Sequence, residues 1–184
     1  MRSILNGTPY TLKDNFSTKD ILSTGSSNIL KNYIPVYNST VYKKLSDAGC
    51  VLIGKTVLDE LGMGGTGETG HTGPVKNAIN PELISGGSSA GSAVSVSLGL
   101  VPFSIGSDTG DSIRKPAAYN LVVGYKPTYG MISRYGLFPF ACSLDHVGVL
   151  TNNVIDAAKV VNVIKGKDNK DMTSIDSSKL DLLD

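Results

Sequence analysis

The chain has 184 residues, 40% of them hydrophobic, and a formal net charge of +1. That length and apolar content suffice for one sizeable core, and the near-neutral charge removes the general electrostatic case for binding a nucleic-acid backbone or an anionic membrane. No apolar run approaches membrane-spanning length, and the N-terminal MRSILNGTPY lacks a basic segment followed by an apolar one, so a cytoplasmic protein is expected.

Thr8–Leu12 reads as a short strand ended by the turn formers Lys13-Asp14-Asn15, which leaves Lys13 at a strand end. On local sequence alone Lys13 is an ordinary solvated lysine. Residues 17–37, rich in Ser, Thr and Asn, show little periodicity and read as a loop with some helical turn. Ser39 is placed to cap a helix running to Ala48, with Val41, Tyr42, Leu45 and Ala48 on one face and Gly49 as its stop. A buried strand is expected over Cys50–Ile53. The stretch GCVLIGKT at 49–56 formally matches the phosphate-binding P-loop, but that loop needs a strand before its first glycine and a polar, glycine-permissive interior. Here a helix precedes and the interior is apolar, so the match is not read as a phosphate site. Val57–Met63 reads as a short helix, and the glycine-dense residues 64–74 as a long loop over a site or its rim.

The stretch from Ser85 to Pro116 is the most informative. Two Gly/Ser clusters, 86–92 and 106–112, bracket an apolar run. Such composition alone describes a flexible linker, yet Ala93, Val94, Val96, Leu98, Leu100, Val101, Phe103 and Ile105 demand burial, which a linker does not provide. The run divides into a helix over Gly91–Leu98, stopped by Gly99, and a buried strand over Val101–Ile105; a short helix then starts near Ser112. Glycines in such clusters let the backbone approach a ligand, and successive N–H groups there form anion-binding nests. Further on, Leu121–Tyr125 reads as a buried strand, Met131–Leu150 as irregular, and Asn152–Lys165 as a helix capped by Thr151, with Val154, Ile155, Ala158, Val161 and Ile164 in one stripe. Strands alternating with helices predict an α/β layered fold with a mixed, partly parallel sheet covered by helices, spanning 1–166, and a polar C-terminal segment at 167–184.

Cys50 and Cys142 have apolar neighbours and read as buried free thiols. His71 and His146, without clustered carboxylates, do not make a metal site, and neither sits in a setting expected of a Ser-His-Asp triad. A nucleophilic serine would then need another base. A lysine serves if burial lowers its pKa enough to leave it neutral, and Lys13, Ser88 and Ser112 supply such parts.

At these residues the chain resembles the amidase signature family. The resemblance is carried by LKDN around Lys13, GGSSAGS around Ser88 and GSDTGDSIRKP around Ser112, in that order. The stretches GKTVLDELGMGG and GYKPTYGMISRYGLFPFACSLDHVG, with the last helix, extend it from Gly7 to Gly166 and look most like the branch formed by A subunits of glutamyl-tRNA(Gln) amidotransferases. The resemblance implies an amidase-signature-type fold and a Ser-cisSer-Lys triad: Ser112 as nucleophile, Ser88 after a cis Gly87–Ser88 bond as proton relay, and unprotonated Lys13 as base. Backbone N–H groups of Thr109, Gly110, Asp111 and Ser112 would form the oxyanion hole, where one donor is worth roughly 3 kcal/mol.

The same resemblance implies glutamine as substrate and ammonia delivered to a B subunit, which uses ATP and a divalent metal on Glu-tRNA(Gln), with a small C subunit bracing the pair. It implies no metal or cofactor in this chain and no membrane. The alternatives are a stand-alone amide hydrolase of the same family and a catalytically incompetent interaction subunit. Three positions depart from the family pattern: Asp111 and Ala90 replace glycines, and Lys115 replaces glutamine. Asp111 would bring a carboxylate beside the developing oxyanion and would tolerate a positive φ poorly. Family members are longer at both ends, with the segments that hold the glutamine carboxylate and amino group beyond residue 184. The chain is therefore expected to be a partial core that hydrolyses glutamine poorly by itself.

Overall fold

One mixed sheet dominates the computed structural model, which describes residues 3–184. In chain order the elements are β1 (Pro9–Lys13), α1 (Thr40–Asp47), β2 (Val51–Thr56), α2 (Ala90–Ser97), β3 (Phe103–Asp108), α3 (Arg114–Tyr119), β4 (Val123–Tyr125), β5 (His146–Thr151) and α4 (Val154–Ile164). The strands lie in the order β2-β1-β3-β5-β4. β1 is parallel to both β2 and β3, whereas β5 is antiparallel to β3 and β4. This is the mixed, partly parallel arrangement that the alternation of elements predicts.

Strand alternation divides the interior into two layers. Tyr10, Leu12, Phe103, Ile105, Val147 and Val149 pack against Val41 and Leu45 of α1 and Val160, Val161 and Ile164 of α4. Tyr10 opposes Phe103 in register, and their rings stack at 5.3 Å. On the other face Ala93 and Val96 of α2 meet Ile113, Ala117 and Leu150. The Ser39 hydroxyl caps α1 at Tyr42 N–H, and Gly49, at φ +82, turns the chain out of it into β2. Among the described residues no helix is long and apolar enough to cross a membrane.

Several expectations are corrected. The strand after α1 is not buried: β2 is an edge strand, with Val51 50% and Ile53 61% exposed. Only a single 3-10 turn, Glu60–Gly62, forms where a helix over Val57–Met63 is expected, because Leu61 and Gly62 both take positive φ. The stretch read as irregular contains β5, the strand that joins β3 to β4. Gly148 masks it: a Cβ there would lie 2.4 Å from both Ile113 Cδ1 and Tyr125 O, so close packing replaces the usual strand signal. Leu121 takes a positive φ of 56, so β4 begins only at Val123, and it lies half-buried at the other sheet edge.

Asn153, not Thr151, caps α4, through Asp156 N–H at 2.8 Å; Thr151 is still the last residue of β5. The buried face of α4 is Ala157, Val160, Val161 and Ile164, while Val154 and Ile155 are exposed. Cys50 is half-buried, its thiol pushed up to about 11 by burial, whereas Cys142 is exposed on a surface turn between exposed Phe140 and Leu144. Residues 167–184 contain no helix or strand but are tied down. Asp168 accepts from Thr40 and Ser133 hydroxyls, Ile175 N–H donates to Gly130 O, and Leu182 packs against the main core.

The two faces of α4 give a direct check. Ile164→Ala, at a fully buried position, is expected to cost about 2–5 kcal/mol of unfolding free energy. Ile155→Ala, at an exposed one, should stay within about 0.5 kcal/mol, both read by chemical denaturation.

Candidate active site

Parallel pairing brings the C-terminal ends of β1 and β3 side by side, so that Lys13, Ser107 and Asp108 end neighbouring strands. The Gly/Ser clusters leading into α2 and α3 close over these ends. Lys13 is fully buried, contrary to the solvated reading of its local sequence. Its Nζ donates to Ser88 Oγ at 2.7 Å, Ser107 Oγ at 2.9 Å and Ser107 O at 3.3 Å. Asn15 Nδ2 also donates to Ser107 Oγ, at 2.9 Å, which holds that hydroxyl in place. Burial lowers the Lys13 pKa to about 7, against an opposing pull from Asp108, Asp59 and Asp145.

Ser88 is buried and follows a cis peptide bond from Gly87. Ser112 is buried just before α3, and its carbonyl accepts from Ser89 N–H at 3.1 Å, so the two clusters touch through the backbone. No hydrogen bond joins Ser88 Oγ to Ser112 Oγ among the described residues. Along the 109–112 turn, the N–H groups of Thr109, Gly110, Asp111 and Ser112 find no backbone carbonyl among the described residues. Asp111 does not adopt positive φ, which removes the conformational objection to it. Its carboxylate lies 2.7 Å from Lys115 Nζ, so two of the three departures from the family pattern are in contact with each other. The third, Ala90, is fully buried at the start of α2.

Three buried carboxylates missed in the sequence hold the surrounding turns. Asp108 Oδ2 accepts from Ile113 N–H at 2.9 Å, and its two oxygens pair with the Arg114 guanidinium, fixing the turn that carries Ser112. These bonds hold the Asp108 carboxyl below the ordinary range despite its burial. Asp145 accepts from Thr109 Oγ1 at 2.5 Å and from the N–H groups of Phe140 and Ala141. Asp59 accepts from the N–H groups of Gly67, Glu68 and Thr69 and from the Thr69 hydroxyl. It anchors the glycine-rich loop against Gly87, where a Cβ would lie 1.9 Å from Asp59 Oδ2. An acidic residue at the edge of a glycine-rich turn is the sequence signal for Asp108 and Asp59, since such turns need an acceptor for their free N–H groups; the turn that Asp145 holds, 138–145, contains no glycine and gives no such signal.

Other candidates lie elsewhere. His71 is exposed on the glycine-rich loop, and His146 contacts the Leu144 carbonyl and Lys126. The P-loop-like lysine, Lys55, is turned inward onto Asp14 at 3.0 Å, the Phe16 carbonyl and the Ser23 hydroxyl, and Gly54 lies within β2. Among the described residues no group of three or more His, Cys, Asp or Glu is placed to hold a metal.

The family model described as amidase matches residues 1–182. The chain belongs to the amidase family. It is 51% identical over 176 residues to the glutamyl-tRNA(Gln) amidotransferase A subunit of Oenococcus oeni, covering 96% of this chain and 36% of that relative. The A subunit of Prochlorococcus marinus is 54% identical over 172 residues, covering 94% and 35%. Among solved amidase folds, the A subunit of Thermotoga maritima superposes with a TM-score of 0.93 at 46% identity, covering 96% of this chain and 39% of that one. The peptide amidase of Stenotrophomonas maltophilia gives 0.90 at 36% identity, covering 95% and 37%. The chain thus spans about a third of the length of the curated amidases it matches.

The buried amine has a consequence for stability. The folded chain binds the Lys13 proton more weakly than the unfolded one, so this residue makes stability rise with pH from about 7 towards the ordinary value of 10.5. Denaturation of the parent and Lys13→Met across that range is expected to show the parent gaining relative to the variant. A constant difference would contradict a depressed pKa.

Proposed function

We propose that this chain carries the amide-hydrolysing centre of a glutamyl-tRNA(Gln) amidotransferase, in the manner of its A subunits, acting on glutamine in the cytoplasm. The observation that carries the reading is the 2.7 Å contact between Lys13 Nζ and Ser88 Oγ, made by a buried amine that loses its charge near neutral pH. The likeness to A subunits of such amidotransferases, at 51% and 54% identity, supports this branch over general amidases.

In this reading the Ser112 oxygen attacks the amide carbonyl of glutamine and a C–O bond forms. The Ser112 proton passes to Ser88 as Ser88 gives its own to neutral Lys13. Catalytic hydrogen bonds commonly tighten only when substrate is held, and the Ser88–Ser112 link is assigned to that stage. The negative charge on the carbonyl oxygen is met by N–H groups of Thr109, Gly110, Asp111 and Ser112, aligned in advance so that little reorganisation is needed. The C–N bond then breaks, the leaving nitrogen takes the proton back through Ser88, and ammonia departs. Water hydrolyses the glutamyl ester by the same proton route. Ammonia is used by a B subunit that holds ATP and a divalent metal and activates Glu-tRNA(Gln), with a C subunit bracing the pair; this chain supplies no cofactor.

The test is to combine the chain with B and C subunits and follow conversion of Glu-tRNA(Gln) to Gln-tRNA(Gln) with glutamine as the nitrogen source. Ser112→Ala is expected to lower the glutamine-dependent rate by about 10³-fold or more, while added ammonia still supports conversion. Conversion that survives Ser112→Ala undiminished would remove the nucleophile, and full-rate glutamine hydrolysis without the B subunit would favour a stand-alone hydrolase. In an active assembly the rate should rise with pH through about 7 as Lys13 loses its proton, and Lys13→Arg, which stays charged, should abolish activity.

A further inference from the structure

The turn assigned to the oxyanion carries a charge of its own. Asp111 lies between Gly110 and Ser112, its side chain 46% exposed, and its carboxylate is held by Lys115 Nζ at 2.7 Å. Lys115 N–H also donates to Asp111 O at 2.8 Å, so side chain and backbone join the same two residues. The ammonium reaches across the site: a Cβ built on Gly65 would lie 2.9 Å from Lys115 Nζ. Gly65 in turn accepts from Gly87 N–H at 3.0 Å, next to the peptide that leads into Ser88. Lys115 therefore links the turn that carries the proposed nucleophile to Gly65, the residue whose carbonyl holds Gly87 just before the proposed relay.

A carboxylate on the turn whose N–H groups must receive a developing anion works against them, because like charges repel. We propose that Lys115 is a positioning residue of the 109–112 turn, its ammonium cancelling the charge of Asp111 so that the N–H groups remain able to accept an anion. This rests on the reading of that turn as the oxyanion hole. An ordinary lysine is already charged at neutral pH, and the Asp111 hydrogen bond raises the Lys115 pKa further. As a surface ion pair the contact adds little to stability, so its effect is expected in anion binding and rate.

The test compares the parent chain with Lys115→Met, Lys115→Arg and the double variant Asp111→Asn/Lys115→Met, using two measurements. One is the NMR response of the Gly110 and Ser112 amides to acetate, whose carboxylate stands in for an oxyanion and requires no chemistry. The other is the rate of Ser112 sulfonylation by phenylmethylsulfonyl fluoride, followed by intact mass. Lys115→Met is expected to weaken acetate binding and slow sulfonylation about tenfold, the size of effect a nearby unpaired charge produces. Lys115→Arg should preserve both, and the double variant should recover most of the loss, which a merely misfolded single variant would not.

Acetate binding in Lys115→Met equal to the parent, a deficit that the double variant does not recover, or parent amides that ignore acetate would each overturn the proposal. If acetate binding follows the expected pattern while Ser112 resists sulfonylation in every variant, the role of Lys115 stands and the serine-nucleophile reading falls.

Discussion

Lys13 Nζ lies where water does not reach, and its hydrogen-bond partners are the Ser88 and Ser107 hydroxyls and the Ser107 carbonyl rather than a carboxylate. Among the described residues nothing adjacent therefore forms the ion pair that would restore the charge lost to burial. The nearby Asp14 carboxylate is occupied by Lys55 at 3.0 Å. The sheet makes this possible: β1 lies between two parallel neighbours, and its last residue is carried into the space beneath the two glycine clusters.

Glycine-rich turns give the site room but have no side chains to hold them. Here the rigidity comes from buried carboxylates that collect backbone donors. Asp108 fixes the turn into α3, Asp145 ties Thr109 to the Phe140–Ala141 turn, and Asp59 pins the 64–74 loop against Gly87. Their negative charge also opposes the lowering of the Lys13 pKa, so the acidity of that amine reflects burial working against three carboxylates. Scaffold and proton chemistry are thus coupled through the same groups.

Local chemistry was readable where a single residue decides the backbone. Ser39 and Gly49 bound α1 as expected, and Gly99, at φ +68, ends α2. It failed where the partner is distant in sequence. β5 is concealed by Gly148, whose lack of a side chain makes sense only once Ile113 and Tyr125 are packed on it. Edge position, which no local pattern reports, exposes Val51 and Ile53. On local sequence Lys13 reads as solvated, because burial is a property of the assembled sheet; only the likeness to known amidases groups it with Ser88 and Ser112, and of these two it contacts Ser88. Asp59 stands at the edge of a glycine-rich stretch, but which N–H groups it collects depends on a loop whose course the sequence leaves open.

The amine's closest partners stand 75 and 94 residues away along the chain. Before the sheet closes, Lys13 is an ordinary ammonium, protonated at neutral pH and unable to accept a proton. The weakly basic amine is therefore a product of folding itself: a nascent or partly denatured molecule carries the same lysine only in its charged form.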